Sequence, residues 1–426
     1  MNNSKNNESK KLRGVSRKAN CWFNYSNRLR TNLGIATGSA LMIASAAMLL
    51  ATGASAATRY VATTGADTGD CSNSGSPCLT INYAVDQASA GDTISVAAGT
   101  YTESVTVTKQ LSLVGSGPTT TIIDVAAGCD SERCHNGIVI SGSDAAGTVV
   151  TGFTVENAGL EGILALDTSN LTIAGNRLLF NDAFGPFSPQ CGAGLDPDDC
   201  GEALHLQTVT GSTVNGNLVQ YNVGGILLTD EDGPTSNNTI SDNQVLDNDK
   251  DCGITLASHY FQFGSPVSPS NGGVYHNHVL HNTSNNNGAA GIGVFAGPPG
   301  AAAWENTVSN NTAMNNGLPG VAIHSHTAFQ NANGNTVVNN ILSGNGSDGD
   351  LAALIPAADN PTGISVFADV ITVDPPFLSA SPITRTVISA NRISDEHYGI
   401  ATLGVTKLSG LQSNKFTDVD VPLFLN

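Results

Sequence analysis

The chain has 426 residues and a net charge of −18, with 17 basic against 35 acidic side chains, and charged residues make up only 12% of it, against roughly 25% in ordinary globular proteins. So acidic a surface repels nucleic acid and anionic membranes, which argues against both as partners, and it disfavours gripping a polyanionic sugar through Arg and Lys alone. The 47 glycines, with polarity carried by Asn, Ser and Thr, read as a secreted, turn-rich β protein.

Residues 1–30 are basic and polar, Leu33–Leu50 is an apolar run, and Ala54-Ser55-Ala56 has the small-residue pattern of a cleavage site. Residues 1–56 therefore read as a signal peptide, with the mature chain starting near Ala57. The run is short and interrupted by Gly and Ser, unlike a membrane anchor, and no second stretch is long enough to span a bilayer. The expectation is a secreted, extracellular, monomeric protein with no membrane association once the leader is removed. The leader takes eight basic residues and one acid with it, leaving nine basic and 34 acidic residues and a net charge of −25. Cys21 goes too. Of the seven remaining cysteines, Cys71/Cys78, Cys129/Cys134 and Cys191/Cys200 are close pairs suited to local disulfides in an exported chain. Cys252 is left over, with a Cys200–Cys252 bridge as an alternative.

Residues 57–136 read as an N-terminal cap and first coils. Ile81, Ala84, Val85 and Ala88 follow helical spacing within Leu79–Ala90, with Gly91 as the stop. Short alternating runs follow at Thr93–Val96, Ser104–Val107, Leu111–Val114 and Thr121–Ile123. A short amphipathic helix ahead of such runs shields the open end of a stacked solenoid.

Residues 137–426 are repetitive. One phrase is Gly-apolar-x-apolar, seen at Gly225-Ile226-Leu227-Leu228, Gly253-Ile254-Thr255-Leu256, Gly291-Ile292-Gly293-Val294, Gly320-Val321-Ala322-Ile323 and Gly363-Ile364-Ser365-Val366. An earlier copy, Ala203-Leu204-His205-Leu206, lacks the glycine. A second phrase, Thr-Val/Ile-x-x-Asn, recurs at Thr172–Asn176, Thr213–Asn217, Thr239–Asn243, Thr307–Asn311 and Thr336–Asn340. A third element follows several copies, as in Val245-Leu246-Asp247-Asn248. Three short strands per turn, with a period of 20–30 residues where no insertion intervenes, predict a parallel solenoid. Its apolar residues stack inward and its recurring Asn forms a ladder at one corner, where Asn tolerates the left-handed conformation. Leucine-rich repeats would need a leucine framework, and a β-propeller longer antiparallel strands; neither is present.

These phrases, with Tyr60-Val61-Ala62 and Gly99-Thr100-Tyr101, resemble right-handed parallel β-helix proteins of the pectin-lyase-like superfamily over nearly the whole mature chain. The resemblance implies an all-β, single-stranded right-handed parallel β-helix with an N-terminal capping helix and long loop insertions. It leaves the reaction open, because relatives include polysaccharide lyases, glycoside hydrolases, uronate epimerases, tailspikes, copper-associated periplasmic proteins and adhesins. The Asn-Thr-Asp and Arg-Ile-Lys elements of polygalacturonases are missing, and Arg133, Arg177, Arg385 and Arg392 lie away from the decorated face. Asp196-Pro197-Asp198-Asp199 resembles in part the Asp-Pro-His-Asp of alginate epimerases but lacks its histidine.

Strand alternation turns one column of side chains outward. It carries His205 and Gln207, Thr229 and Glu231, Thr255 and His259, Gly293 and Phe295, His324 and His326, and Ser365 and Phe367. His276, His278 and His281 follow nearby. A carboxylate beside imidazoles on a rigid platform suits acid–base chemistry, because neighbouring charges move pKa values toward the working range. Glu202, Asp230 and Glu231 are the candidate acids or bases, and His205, His259, His324 and His326 the candidate proton carriers or orienting groups. Gln207, Phe295, Phe367 and Asp251 are the candidate substrate contacts, the phenylalanines by stacking on sugar rings. Insertions at Phe184–Cys200, His259–Asn271 and Gly297–Trp304 are long enough to wall a cleft. No cofactor is assigned. Ca²⁺ at Asp230-Glu231-Asp232 or Asp196–Asp199, or a transition metal on the histidines, are the metal alternatives. The expected partner is a neutral or weakly charged polysaccharide, cleaved by hydrolysis or elimination. The competing readings are a non-catalytic glycan-binding surface protein and a metal-binding β-helix.

Overall fold

The structure, a computed structural model, describes residues 56–125, 135–181, 202–349, 352, 359–368 and 380–426. The leader, Cys129/Cys134, Cys191/Cys200 and the Phe184–Cys200 insertion lie outside the described residues. Among the described residues no helix is long and apolar enough to cross a membrane.

The chain coils through parallel strands, most of them three to five residues long. Among the described residues, eleven strands, from Thr58–Val61 to Val387–Ser389, stack in one sheet, and the Thr-Val/Ile phrases lie in it. The Gly-apolar phrases form another face, called the site sheet below. It includes Ile138–Ser141, Ile163–Ser169, Glu202–Thr210, Gly224–Thr229, Ile254–Ser258, Ile292–Ala296, Val321–Ser325 and Thr362–Ala368. All its pairings are parallel, with Ile163, Leu204, Ile226, Ile254, Ile292, Val321, Ile364 and Ile400 in one register. These residues are fully buried and belong to one core running along the solenoid axis. Each coil therefore hides its apolar stripe only against its neighbours, which makes the stack cooperative.

The cap helix is shorter than its periodicity suggests, Ile81–Gln87, with Ile81, Ala84 and Val85 buried. Thr80 caps it by accepting from Tyr83 N at 3.2 Å. Glu103 accepts from the Ile81 and Asn82 amides at 2.8 and 2.9 Å, satisfying two more of the donors that a helix start leaves over. Ala88 is already extended, so Gly91 stops nothing and instead takes a left-handed turn into the next strand. Cys71 and Cys78 form the expected disulfide beside the cap. Cys252 is also disulfide-bonded, to a partner outside the described residues.

Asparagine ladders run along three corners rather than one. The first links Asn176, Asn217, Asn243, Asn282, Asn311, Asn340, Asn391 and Asn414. The second runs from Asn181 through Asn222, Asn248, Asn287 and Asn316 to Asn345. The third joins Asn238, Asn277, Asn306 and Asn335. At a typical rung, Asn217 N and Nδ2 both donate to Asn243 Oδ1 at 3.0 Å, and Nδ2 also donates to Ile173 O at 2.9 Å. The left-handed residue is not the ladder Asn but the one before it, including Asp242, Asn310 and Asn339 in the first stack and Asp247, Asn286 and Asn315 in the second. His276 and His281 are such corner residues, and His278 is exposed on its own strand, so these three stand apart from the site sheet.

Each rung satisfies buried donors on its neighbour. Asn282→Ala should therefore cost roughly 2–4 kcal/mol in denaturant unfolding, more than an exposed substitution, because the Asn243 groups lose their acceptor. The second ladder ends on a carboxyl, Glu396, whose Oε1 accepts from Asn345 N and Nδ2 at 3.0 Å. Burial pushes Glu396 up to about 7 from 4.5. Between those values the folded chain holds a proton that the unfolded chain has released, so this contribution to stability is full below about pH 4.5 and is lost as pH rises through 7. Thermal melts across this range should show Glu396→Gln flattening the decline.

Candidate active site

Alternation is obeyed, yet the outward column is largely closed. Leu227, Phe295, His324, His326 and Phe367 are each at most 4% exposed. Leu227, Ala257, Phe295 and Ala322 form a second apolar cluster with Cys252, Ala289, Ala290 and Leu318, which arrive from the turns entering the sheet. The Phe295 ring folds back over Gly293, where a Cβ would stand 2.3 Å from it. Phe367 packs with Tyr398 and Ala401. Neither phenylalanine presents a face to a sugar, contrary to the expectation of stacking. The reason is steric: Ala289, Ala290 and Leu318 from the turns entering the sheet, and Tyr398 from the following coil, pack onto the column.

His324 and His326 are buried with these rings. His324 lies 5.5 Å from Phe295 and 5.3 Å from Phe367, centroid to centroid, and 5.4 Å from His326. Its Nε2 is 2.9 Å from Asp348 Oδ2, which also accepts from Ser365 Oγ. Burial, then the His324 charge, holds His326 well below the ordinary imidazole value. Gln330 Oε1 accepts from Ser325 Oγ and the His326 and Thr327 amides, fastening the chain over the cluster. These histidines pack a closed region and do not meet solvent as the acid–base groups expected from their register.

Asp230 is also corrected. It is fully buried and accepts from Ser258 Oγ at 2.9 Å, from the His259 and Tyr260 amides at 2.7 and 3.2 Å, and from Gly273 N. Burial and the neighbouring Glu231 raise it to about 6. It is a positioning residue that pins both ends of the 259–273 insertion. Tyr260 packs with Val267, Trp304 and Tyr275 beneath that insertion.

Four predicted or implied residues do come together. His205 Nε2 is 2.8 Å from Thr229 Oγ1, Thr229 donates to Glu231 Oε2 at 2.5 Å, and His259 Nδ1 is 2.9 Å from Glu231 Oε1. The network runs from the buried His205 to Glu231 and His259, whose side chains are 26% and 24% exposed. Hydrogen bonding and the imidazole charge hold the Glu231 carboxyl well below its ordinary value despite its burial. Asp167 moves the other way, raised by burial and by the nearby charges of Asp232 and Glu231. Two carboxyl groups pushed apart in this manner are the usual signature of an acid and a base. At the buried end, Glu161, Glu202 and His205 bring ligand atoms within 4.8 Å of one another. Glu202 is 3% exposed, so it faces His205 and not an open groove. Gln207 pairs in register with Thr229 and is half-buried. Asp251 accepts from Cys252 N at 2.6 Å beside Gly224.

A family profile described as "Right handed beta helix region" matches residues 121–342. The chain belongs to the right-handed β-helix family. Solved β-helix structures agree at the level of fold. The Azotobacter vinelandii mannuronan C-5 epimerase AlgE6 A-module is similar with a TM-score of 0.52 and 15% identity, covering 81% of this chain and 90% of its own. The Dettilon tailspike protein gives 0.50 at 13%, covering 86% and 68%. No curated protein sequence matches.

The β-helix holds site residues that sequence reasoning missed. Glu161 and Asp167 precede the first histidine-bearing phrase, where no repeat signal marks them. Phe261 and Phe263, 51% and 66% exposed, stand on the 259–273 insertion, with Phe263 5.0 Å from Phe329 edge to face; Phe180 and Tyr221, each 50% exposed, stack on one another away from it. Aromatic residues in a Gly/Ser/Pro-rich segment were the available signal. If Asp230 pins this wall, Asp230→Ala should expose cleavage sites within 259–273 to limited proteolysis while the remaining coils stay protected.

Proposed function

We propose that this β-helix is an exported glycan-cleaving enzyme acting on a neutral or weakly charged polysaccharide, with its chemistry at Asp167, Glu231 and His259. The observation that carries the reading is the Glu231–His259 pair at 2.9 Å, partly exposed at the edge of the site sheet beside the Phe261–Phe263 wall. His259 Nδ1–H donates to the carboxylate, which leaves the lone pair on Nε2 and raises its basicity, so Nε2 takes the proton of the water that adds to the anomeric carbon as the glycosidic bond breaks. Asp167, whose protonated form burial and the charges of Asp232 and Glu231 favour, is assigned the proton donation to the leaving oxygen. Phe263 offers a sugar-stacking face. The AlgE6 neighbour is named as an epimerase of mannuronan, a polysaccharide, which supports a glycan partner. The surplus of acid around Asp167, Glu231 and Asp232 favours an uncharged chain over a polyuronate.

A second reading, glycan binding without turnover, draws on a different observation: among the described residues most of the column is closed, whereas Phe261 and Phe263 are amply exposed. The two separate on a panel of neutral and anionic polysaccharides assayed for new reducing ends and unsaturated products. The enzyme reading expects turnover of a neutral glycan that falls about 10²–10⁴-fold in His259→Ala and in Asp167→Asn, with melting temperatures unchanged. Binding by the wild type with no product from any glycan would leave only the second reading.

A further inference from the structure

The chemistry proposed at the exposed edge does not use Glu161 and Glu202, two buried carboxyl groups beside the His205 imidazole. Both sit in one column of the site sheet, two residues before the paired Ile163 and Leu204. Their next neighbour in that column is Gly224, which pairs with Glu202. A Cβ on Gly224 would stand 3.3 Å from Glu202 Oε1, so the glycine leaves the carboxylate its room. Glu161, Glu202 and His205 are 7%, 3% and 3% exposed.

The hydrogen bonds fix the proton on His205. Thr229 has one hydroxyl proton and gives it to Glu231 Oε2 at 2.5 Å. At 2.8 Å from the same oxygen, His205 Nε2 must then be the donor. In the neutral ring this places the lone pair on Nδ1, directed toward Glu161 Oε1 at 3.6 Å. That separation is longer than a hydrogen bond and leaves Nδ1 facing the carboxylate group across it. It is slightly wider than the roughly 3–3.5 Å that bonds of about 2.0–2.2 Å set between ligand atoms of one metal ion, and the three ligand atoms, within 4.8 Å of one another, would draw in on binding.

We propose that Glu161, Glu202 and His205 form a divalent metal site, with His205 Nδ1 and one oxygen from each carboxylate as ligands. One nitrogen among the donors favours a Zn²⁺-class ion over Ca²⁺, which prefers oxygen alone. Thr229 is the outer partner that orients the ligating imidazole, as the second ring nitrogen of metal-bound histidine commonly requires. Through Thr229 and Glu231 the site is mechanically joined to His259. Three protein ligands leave at least one position for water or a substrate oxygen. The site stands on side-chain geometry alone, independent of whether the protein cleaves glycans.

The test is metal content and calorimetry on the full-length mature protein, so that its outcome does not depend on activity. The expected result is one Zn²⁺ per chain retained through dialysis, a melting temperature that rises with Zn²⁺ and falls with chelator, and Ca²⁺ binding at least 100-fold weaker. Glu161→Gln with Glu202→Gln should weaken Zn²⁺ binding at least 100-fold, while His324→Gln with His326→Gln leaves it intact. Because the glutamines keep the volume of the carboxyls, the variant's fold can be verified by its circular dichroism spectrum. Sub-stoichiometric Zn²⁺ in the wild type, equal binding by the Glu161/Glu202 variant, or loss on changing His324 and His326 instead would each overturn the proposal. A metal-free wild type whose His205 titrates as an imidazolium paired to Glu161 by NMR would replace the metal with an ion pair.

Discussion

The side-chain amide ladder is the constraint on which this molecule rests. A stack of coils offers many buried corners where backbone groups turn away from the strand pairing and have nothing to bond. Each ladder Asn gives its oxygen to two N–H groups of one neighbour and its own N–H groups to another coil, so a corner is satisfied only when the adjacent corner is in register. Three such ladders hold the strands in phase. Phase decides the site, because a slip of one residue would turn the outward column into the core.

With phase fixed, the site sheet behaves as a rigid board on which most positions are covered. The apolar cluster around Phe295 and the His324–His326–Phe367 cluster fill the later coils, while the earlier coils keep polar groups linked from His205 to His259. The proposed chemistry therefore lies at the junction of the coils bearing Glu202–Thr210, Gly224–Thr229 and Ile254–Ser258. Asp230 contributes by spending its carboxylate on backbone amides, which orients the backbone that carries His259 and the aromatic wall. A buried acid of this kind does its work through geometry and not through proton transfer.

Much of the fold was legible in sequence because the repeat writes the same burial pattern many times. The inward Ile and Val of the Gly-apolar phrases, and the Asn closing each Thr-Val/Ile phrase, follow directly from alternation and corner chemistry. The left-handed role went to the residue before each Asn, since the ladder itself demands an extended Asn. The site was legible only in part. Alternation correctly turned His324 and Phe367 outward, but an outward side chain is exposed only if no later segment crosses it, and that is a long-range fact. Glu231 and His259 stay partly exposed because they flank strand ends where coverage stops. Glu161 and Asp167 were missed because their partners lie 41 and more residues away, and no local spacing records that approach.

The most direct test of where this protein acts is a crystal structure with a bound neutral oligosaccharide. The account predicts sugar density over the Glu231–His259 edge, with one ring against Phe263 and a glycosidic oxygen near Asp167. Density confined to another face of the solenoid, with His259 untouched, would contradict it.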